Sequence, residues 1–125
     1  MQRLSFLAFI FLLTVSAGNC NKKKDTGEVF RGRLEIKALC MNYTVKLTSG
    51  NIDTSRIVAS WTDETTNKHY SNVFALQNPC NFPAGIKQGD EFYFVLDTAA
   101  VNPCAVCMAY YPTPGKKLAI KIIEK

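Results

Sequence analysis

The sequence IKQGDEFYFVL at residues 86–96 is the strongest indicator of secondary structure in the chain. Its Gly-Asp pair is typical of a tight turn, and the aromatic and β-branched residues that follow favour an extended strand. Side chains on a strand alternate between two faces, so Phe92 and Phe94 are expected to enter a core while Tyr93 points away from it. This stretch therefore predicts a turn followed by a β-strand.

Alternating apolar and polar residues recur on both sides of this strand. They predict further strands within residues 28–39, 43–48, 56–61 and 117–123. The apolar spacing of residues 70–76 fits either an extended segment or a short helix, and the proline-rich run 78–83 is expected to be a loop. No segment shows a sustained helical period, so we expect an all-β domain of five or six strands.

The order of these strands resembles that of the oligonucleotide/oligosaccharide-binding barrel, the OB-fold. A long first strand precedes a paired second and third, then a variable connector and the Gly-Asp-aromatic strand. The resemblance covers residues 28–125 and implies a small five- to six-stranded barrel. An immunoglobulin-like β-sandwich with a buried Trp61 is the alternative, although the spacing of Cys40 and Cys80 around Trp61 fits that pattern poorly. A shared fold does not by itself transfer a function.

The beginning of the chain predicts export. Arg3 is the only charge before an apolar run at residues 4–15, which is too short to span a bilayer comfortably but fits the core of a secretory leader. The sequence SAGNC at residues 16–20 resembles the lipobox of bacterial lipoproteins of the Bacteroidota type, and the lysine-rich segment after it resembles their polar tether. This resemblance implies cleavage before Cys20 and attachment of lipid, including palmitate, to Cys20.

Such a protein would belong to the cell envelope as an outer-membrane lipoprotein, on its periplasmic or its surface side. The predicted organisation is a signal peptide at residues 1–19, the lipidated Cys20 with a flexible tether at residues 20–27, and one all-β domain at residues 28–125. Cleavage by an ordinary signal peptidase, which would give a secreted protein, is the alternative.

The cysteine count supports lipidation and predicts disulfides. Five cysteines leave one thiol unpaired in an oxidising compartment, whereas lipidation of Cys20 leaves an even set. The tripeptide Asn-Pro-Cys occurs at both Cys80 and Cys104, and two similar loop ends favour a bridge between these cysteines. We therefore expect Cys80 to pair with Cys104 and Cys40 with Cys107, which is one of three possible connectivities.

A soft-metal site is the alternative use of the cysteines. The two methionines that follow the leader each come directly after a cysteine, as Cys40-Met41 and Cys107-Met108. Thiolates and thioethers together select ions such as Cu(I). The opposing interpretation is that neighbours on a strand point to opposite faces, so that each methionine fills the core. We expect structural disulfides with no metal and no cofactor.

The formal charge of +5 does not indicate a nucleic-acid-binding protein. From Glu28 onward the chain has eleven of the 15 Lys and Arg and nine of the 10 Asp and Glu, interspersed along the sequence. His69 is the single histidine and lies in a polar stretch, so no catalytic set is indicated. The pairs Asp63-Glu64 and Asp90-Glu91 and the single Asp53 are expected at turns, where Asp commonly bonds to its own backbone. We expect no catalytic residues and no enzymatic activity.

Four tyrosines are the candidate ligand platform: Tyr70, Tyr93, Tyr110 and Tyr111. Exposed aromatic rings stack on sugars or peptides, and the opposing interpretation is that these rings half cover a small barrel. The sequence therefore predicts a membrane-anchored, non-enzymatic binding or interaction module. Its expected partner is an envelope protein or a glycan, with no nucleic acid, and soft-metal binding is the alternative function.

Overall fold

The computed structural model describes residues 27–99 and 105–125. The predicted leader, Cys20 and Cys104 lie outside the described residues. The seven strands are β1 (Phe30–Lys37), β2 (Tyr43–Ser49), β3 (Val58–Asp63), β4 (Lys68–Leu76), β5 (Glu91–Leu96), β6 (Lys117–Leu118) and β7 (Ile120–Ile123).

Strands and single 3-10 turns account for all regular structure in the described ranges, so the all-β prediction is confirmed. The 3-10 turns are Leu39–Met41 and Pro79–Asn81. Residues 70–76, for which the spacing allowed a strand or a helix, belong to β4. The last predicted strand is divided at Ala119, because β6 pairs with β4 while β7 pairs with β5. Among the described residues no helix has the length and hydrophobicity needed to cross a membrane.

The strands form one sheet in the order β3-β4-β2-β1-β5-β7, and β6 joins it by pairing with β4. The β4–β6 pair is parallel and the other pairs are antiparallel. The end strands of this path, β3 and β7, do not pair with each other, so the path is open and a barrel is not confirmed. A single sheet also differs from the two stacked sheets that the immunoglobulin-like alternative requires.

The predicted pairing of the second strand with the third is wrong. Strand β2 pairs with β1 and β4, whereas β3 pairs only with β4. The physical reason is the length of the connections. A tight turn at residues 64–67 joins β3 to β4 as a hairpin, while the longer segment 50–57 separates β2 from β3.

The main core combines phenylalanine rings with aliphatic side chains, and its rings group around Phe94. As predicted, Phe92 and Phe94 are buried, and Tyr93 between them remains partly exposed. The Phe94 ring centroid lies 5.5 Å from that of Phe30 and 6.0 Å from that of Phe74. A smaller cluster forms around Ile36, Tyr70 and Val73, with Ala38, Val58, Trp61 and Tyr111 packed against it.

The buried hydroxyl of Thr44 gives a prediction. Thr44 lies on β2 and is fully buried, and its Oγ1 has no hydrogen-bond partner within the described part of the chain. Thr44→Val replaces this hydroxyl by a methyl group, so we expect the free energy of unfolding to rise by about 1 kcal/mol. Urea titration measures the change. Thr48→Val, at an exposed position of the same strand, is the control and should change it by less than about 0.5 kcal/mol. A loss of stability in Thr44→Val would argue that the hydroxyl has a partner.

Candidate functional site

Exposed apolar side chains are concentrated on two loops. Six large apolar side chains are exposed among the described residues, and five of them flank one disulfide. We call these five residues the disulfide patch: Leu39, Met41, Val106, Met108 and Tyr110. The Met108 side chain is 99% exposed and the Tyr110 side chain 78% exposed. All five side chains are apolar enough for a core, yet they lie at the surface.

The disulfide between Cys40 and Cys107 joins the two loops, which confirms the predicted pairing of these cysteines. Cys40 lies in the loop after β1, and Cys107 lies in the segment 105–111. The side-chain amide of Asn42 adds two hydrogen bonds, donating to the carbonyl oxygens of Leu39 at 2.9 Å and Ala109 at 3.0 Å. Covalent and polar contacts therefore hold both halves of the disulfide patch together.

Only one cysteine of the other predicted bridge lies within the described residues. Cys80 is disulfide-bonded. Its expected partner, Cys104, is outside the described residues, so the pairing of these two cysteines remains a prediction.

The backbone of the first loop is unusual at its sulfur-bearing residues. Cys40 has φ 55° and Met41 has φ 58°, both in the left-handed region that favours glycine. These residues form a turn and not a strand, so the alternation of side chains between two faces does not apply to them. The interpretation that Met41 and Met108 fill the core is therefore wrong, because both side chains are exposed.

A buried carboxylate fastens the segment 105–111 to the sheet. The Tyr111 hydroxyl donates to Asp63 Oδ2 at 2.6 Å, and the backbone N–H of Thr65 donates to Asp63 Oδ1 at 2.8 Å. Burial alone would raise the pKa of the Asp63 carboxyl, but the hydrogen bonds from Tyr111, Thr65 and Thr66 outweigh it and hold this pKa below its usual 3.8. The same bond to Asp63, with burial, raises the pKa of Tyr111 above its usual 10.0.

Tyr111→Phe is expected to destabilise the domain most near neutral pH. The lowered pKa of Asp63 stabilises the folded state above about pH 4, and this contribution is lost as the pH falls through the folded-state pKa. The raised pKa of Tyr111 contributes below about pH 10 and is lost as the pH rises through it. The urea midpoints of Tyr111→Phe and of the unchanged protein should therefore differ most at pH 7, and the difference should shrink as the pH falls below about 4.

Tyr110→Phe is the matched control for this prediction. Tyr110 is the neighbouring tyrosine, and its side chain is largely exposed. Its substitution should leave the urea midpoint unchanged at every pH. A difference between Tyr111→Phe and the unchanged protein that stays constant from pH 7 down to the lowest pH at which both proteins are folded would contradict the role of the Asp63 carboxylate.

The structure does not gather the four predicted tyrosines into one exposed platform. Tyr70 is 9% exposed, and its ring centroid lies 5.8 Å from that of Trp61, so Tyr70 belongs to the smaller core cluster. Two cations approach the Tyr93 ring, Arg31 Cζ at 5.6 Å and Lys125 Nζ at 5.0 Å. Tyr111 is bound to Asp63. Of the four, only Tyr110 lies in the disulfide patch.

Sequence reasoning missed Leu39 and Val106. An aliphatic residue in a loop carries no chemical signature of its own, and single exposed aliphatic residues are common on protein surfaces. The available signal was adjacency, because each of these residues directly precedes a cysteine, as each methionine directly follows one. A shallow cleft of about 310 Å³ runs beside the bridge and is lined in part by Met41, Val106 and Lys117.

The groups that could serve catalysis or metal binding are distributed as follows in the described ranges. No cluster of three or more His, Cys, Asp or Glu side chains occurs in the described ranges. The two ring nitrogens of His69 lie 3.0 Å from the hydroxyls of Ser60 and Thr62 on an exposed hairpin. A catalytic Ser-His pair needs a carboxylate or similar group to orient the ring, and hydroxyls occupy both positions here. The arrangement is therefore that of a cross-strand contact.

The chain matches no known family model, and no curated protein or solved structure is significantly similar to it, so the disulfide patch has to be interpreted from its own geometry.

Proposed function

We propose that this protein is a membrane-anchored envelope lipoprotein whose domain presents the disulfide patch to a partner protein. The observation that carries the proposal is the grouping of five exposed apolar side chains on two covalently joined loops. Scattered exposed apolar residues are ordinary, whereas a contiguous group of them marks an interaction surface. Cross-linked loops also lose less conformational freedom on binding than free loops, which favours affinity.

The left-handed backbone at Met41 supports the same proposal. A residue with a Cβ atom pays a conformational cost in this region that glycine would avoid. The loop nevertheless carries a methionine at this position, with its side chain 40% exposed. An exposed apolar side chain held at a conformational cost is better explained by a contact with a partner than by the stability of the isolated domain.

The finer architecture that we propose is an OB-like barrel. Only Ala119 separates β6 from β7, and these strands pair with β4 and β5 respectively. Backbone hydrogen bonds from Gln77 to Leu118 and from Asp97 to Ala119, each 2.9 Å, support a closed ring of strands. The order of strands around this ring is β1-β2-β4-β6/β7-β5, and β3 lies outside it.

Hydrogen exchange tests the closed ring. The amides of Gln77 and Asp97 should exchange with solvent as slowly as those of β5; fast exchange would argue for an open sheet.

In an OB-like barrel the disulfide patch would lie on loops that correspond to ligand-binding loops. In OB-folds the loop between strands 1 and 2 and the loop between strands 4 and 5 take part in ligand binding. The corresponding segments here are the loop after β1 and the connection from β5 to β6, which includes residues 105–111. These are the two segments that the Cys40–Cys107 bridge joins.

A protein is a better match to the disulfide patch than a glycan or a lipid surface. Four of its five side chains are aliphatic, whereas sugars are usually held by aromatic faces and polar groups. Strand β1 starts next to the predicted tether and ends beside the patch, and its 8 residues span more than roughly 20 Å. The patch therefore lies at the end of β1 that is farther from the predicted anchor, and the tether would have to fold back along the domain for the patch to reach the membrane.

Site-specific photo-crosslinking in intact cells tests the partner. A photoreactive residue at position 110 should give a discrete crosslinked protein, and this product should be lost when Val106→Asp is added. The control position is 48, which is exposed at the far end of β2 from the disulfide patch. Equal products at positions 48 and 110, a product of twice the protein's own mass, or crosslinks to lipid or glycan would each contradict the proposal.

Lipid anchoring is tested by Cys20→Ser. Insertion of acyl chains contributes about 0.8 kcal/mol per buried CH₂ group, so loss of the acylated cysteine should move the protein from the membrane fraction to the soluble fraction. The intact mass of the unchanged protein should show a mature chain that begins with lipidated Cys20. Retention of Cys20→Ser in the membrane would exclude this anchor, and so would a native N-terminus at Gly18, which ordinary signal-peptidase cleavage after Ala17 would produce.

The exposure of both methionines favours soft-metal binding as a second candidate function. Cys40 and Cys107 supply no thiolates while they are bonded to each other, so Cu(I) binding at this place requires prior reduction by a dithiol. Native mass measurement with Cu(I), before and after dithiothreitol treatment, tests the candidate. Binding only after reduction supports it, and absence of binding in both states excludes it.

A further inference from the structure

We propose that peroxides oxidise Met108 and Met41, and that this oxidation makes the disulfide patch less apolar, and so weaker in docking, without unfolding the domain. The consequence for docking rests on the proposed function, whereas the oxidation and the retention of the fold do not. The two residues are the only methionines that follow the leader, and both lie in the disulfide patch. Oxidation of any methionine that follows the leader therefore alters the disulfide patch.

The reaction is the two-electron oxidation of a thioether. The methionine sulfur attacks one oxygen of hydrogen peroxide, the O–O bond breaks, and an S–O bond forms. The sulfur becomes a sulfoxide and the second oxygen leaves as water, with both protons of the peroxide. The neighbouring sulfurs of Cys40 and Cys107 are already joined in a disulfide. Of the four sulfur atoms in or beside the disulfide patch, those of Met41 and Met108 are thus the two that remain in their reduced state.

Accessibility predicts the order of reaction. Met108 is 99% exposed, so peroxide reaches its sulfur without any movement of the protein. Met41 is 40% exposed and helps to line the cleft beside the disulfide. We therefore expect Met108 to be oxidised several-fold faster than Met41.

Oxidation is expected to alter the surface and to leave the fold intact. Sulfoxide formation in a core disrupts packing because it turns an apolar side chain into a polar one. Neither core cluster of the described residues contains a methionine. The new polar oxygens would face solvent, where they need no partner from the protein. The patch would lose two of its four aliphatic side chains as apolar contacts, and a sulfoxide reductase could restore them.

Peroxide treatment of the purified protein tests the inference. Intact mass and peptide mapping should show one added oxygen at Met108 first and a second at Met41 later. Retention on a hydrophobic-interaction column should fall with each step, the melting temperature should stay the same, and methionine sulfoxide reductases should restore the retention. The Met41→Leu/Met108→Leu variant is the control, since it should keep its retention after the same treatment.

Three outcomes would overturn the inference: faster oxidation of Met41 than of Met108, unchanged retention after both sulfurs are oxidised, or a melting temperature that falls with oxidation. None of these measurements involves the partner, so their failure is separate from failure of the crosslinking experiment. If both proposals hold, oxidation of Met108 and Met41 should also weaken the crosslink from position 110.

Discussion

Replacing Cys40 and Cys107 together by serine is expected to lower the free energy of unfolding by roughly 4 kcal/mol. The bridge closes a loop with a sequence separation of 67 residues, and its loss returns the corresponding chain entropy to the unfolded state. For a domain of this size, such a loss lowers the melting temperature by roughly 15 °C or more. Urea titration and thermal unfolding of the double variant measure the effect.

The double substitution is the appropriate test of this bridge. Reduction would also open the bridge at Cys80, and a single substitution would leave a free thiol able to exchange with it. Val106→Ser serves as the control, because it places a serine next to Cys107 at an exposed position and keeps the bridge. It should change stability by less than about 0.5 kcal/mol. A loss below about 1 kcal/mol in the double variant would show that the bridge does little to constrain the unfolded chain.

Asn78→Ala is expected to cost roughly 2–4 kcal/mol. The Asn78 amide donates to the carbonyl oxygen of Ile120 at 2.7 Å and accepts from the backbone N–H of Ile120 at 3.0 Å. Both residues are buried, so truncation leaves two backbone groups of β7 without partners. The expected loss of stability is smaller than the full cost of two buried backbone groups without partners, because a cleft beside Asn78 and Ile120 allows water to reach them.

Two further variants separate the hydrogen bonds from the loss of volume. Asn78→Asp keeps the size and the acceptor but replaces the donor by an oxygen that faces the Ile120 carbonyl, so it should also destabilise the domain. Asn81→Ala changes an exposed asparagine of the same loop and should be nearly neutral. Equal effects of Asn78→Ala and Asn81→Ala on the urea midpoint would refute the role assigned to the Asn78 side chain.

Local patterns in the sequence predicted the strands well, and the pairing of strands less well. Alternation along residues 86–96 was sufficient to place Phe92 and Phe94 in the core, because the face that a strand residue occupies depends only on its neighbours. Which strands lie side by side depends on connections and packing across the whole domain. The pairing of β3 with β4 was therefore missed, and the burial of Tyr70 beside Trp61 was missed with it.

The candidate site was predictable only in part, for a different reason. The repeated Asn-Pro-Cys tripeptide favoured the pairing that includes Cys40 with Cys107, which the structure confirms. The left-handed conformation at Cys40 and Met41 has no counterpart in the sequence, since neither residue type signals a positive φ. The expectation of buried methionines assumed a strand at this position and failed because the chain forms a turn.

Strand β3 is where the domain has room to vary. It pairs with β4 alone, and its hairpin turn at residues 64–67 is exposed, whereas both loops of the disulfide patch are tied to each other. Inserted sequence at this turn would leave the pairings of β1, β2, β5 and β7 unchanged. Evolution or a protein engineer could thus add an epitope, a tag or a second recognition element at the hairpin, and the disulfide patch would keep its place provided that the insertion follows Thr66 and preserves the hydrogen bonds of Asp63 with Thr65 and Tyr111.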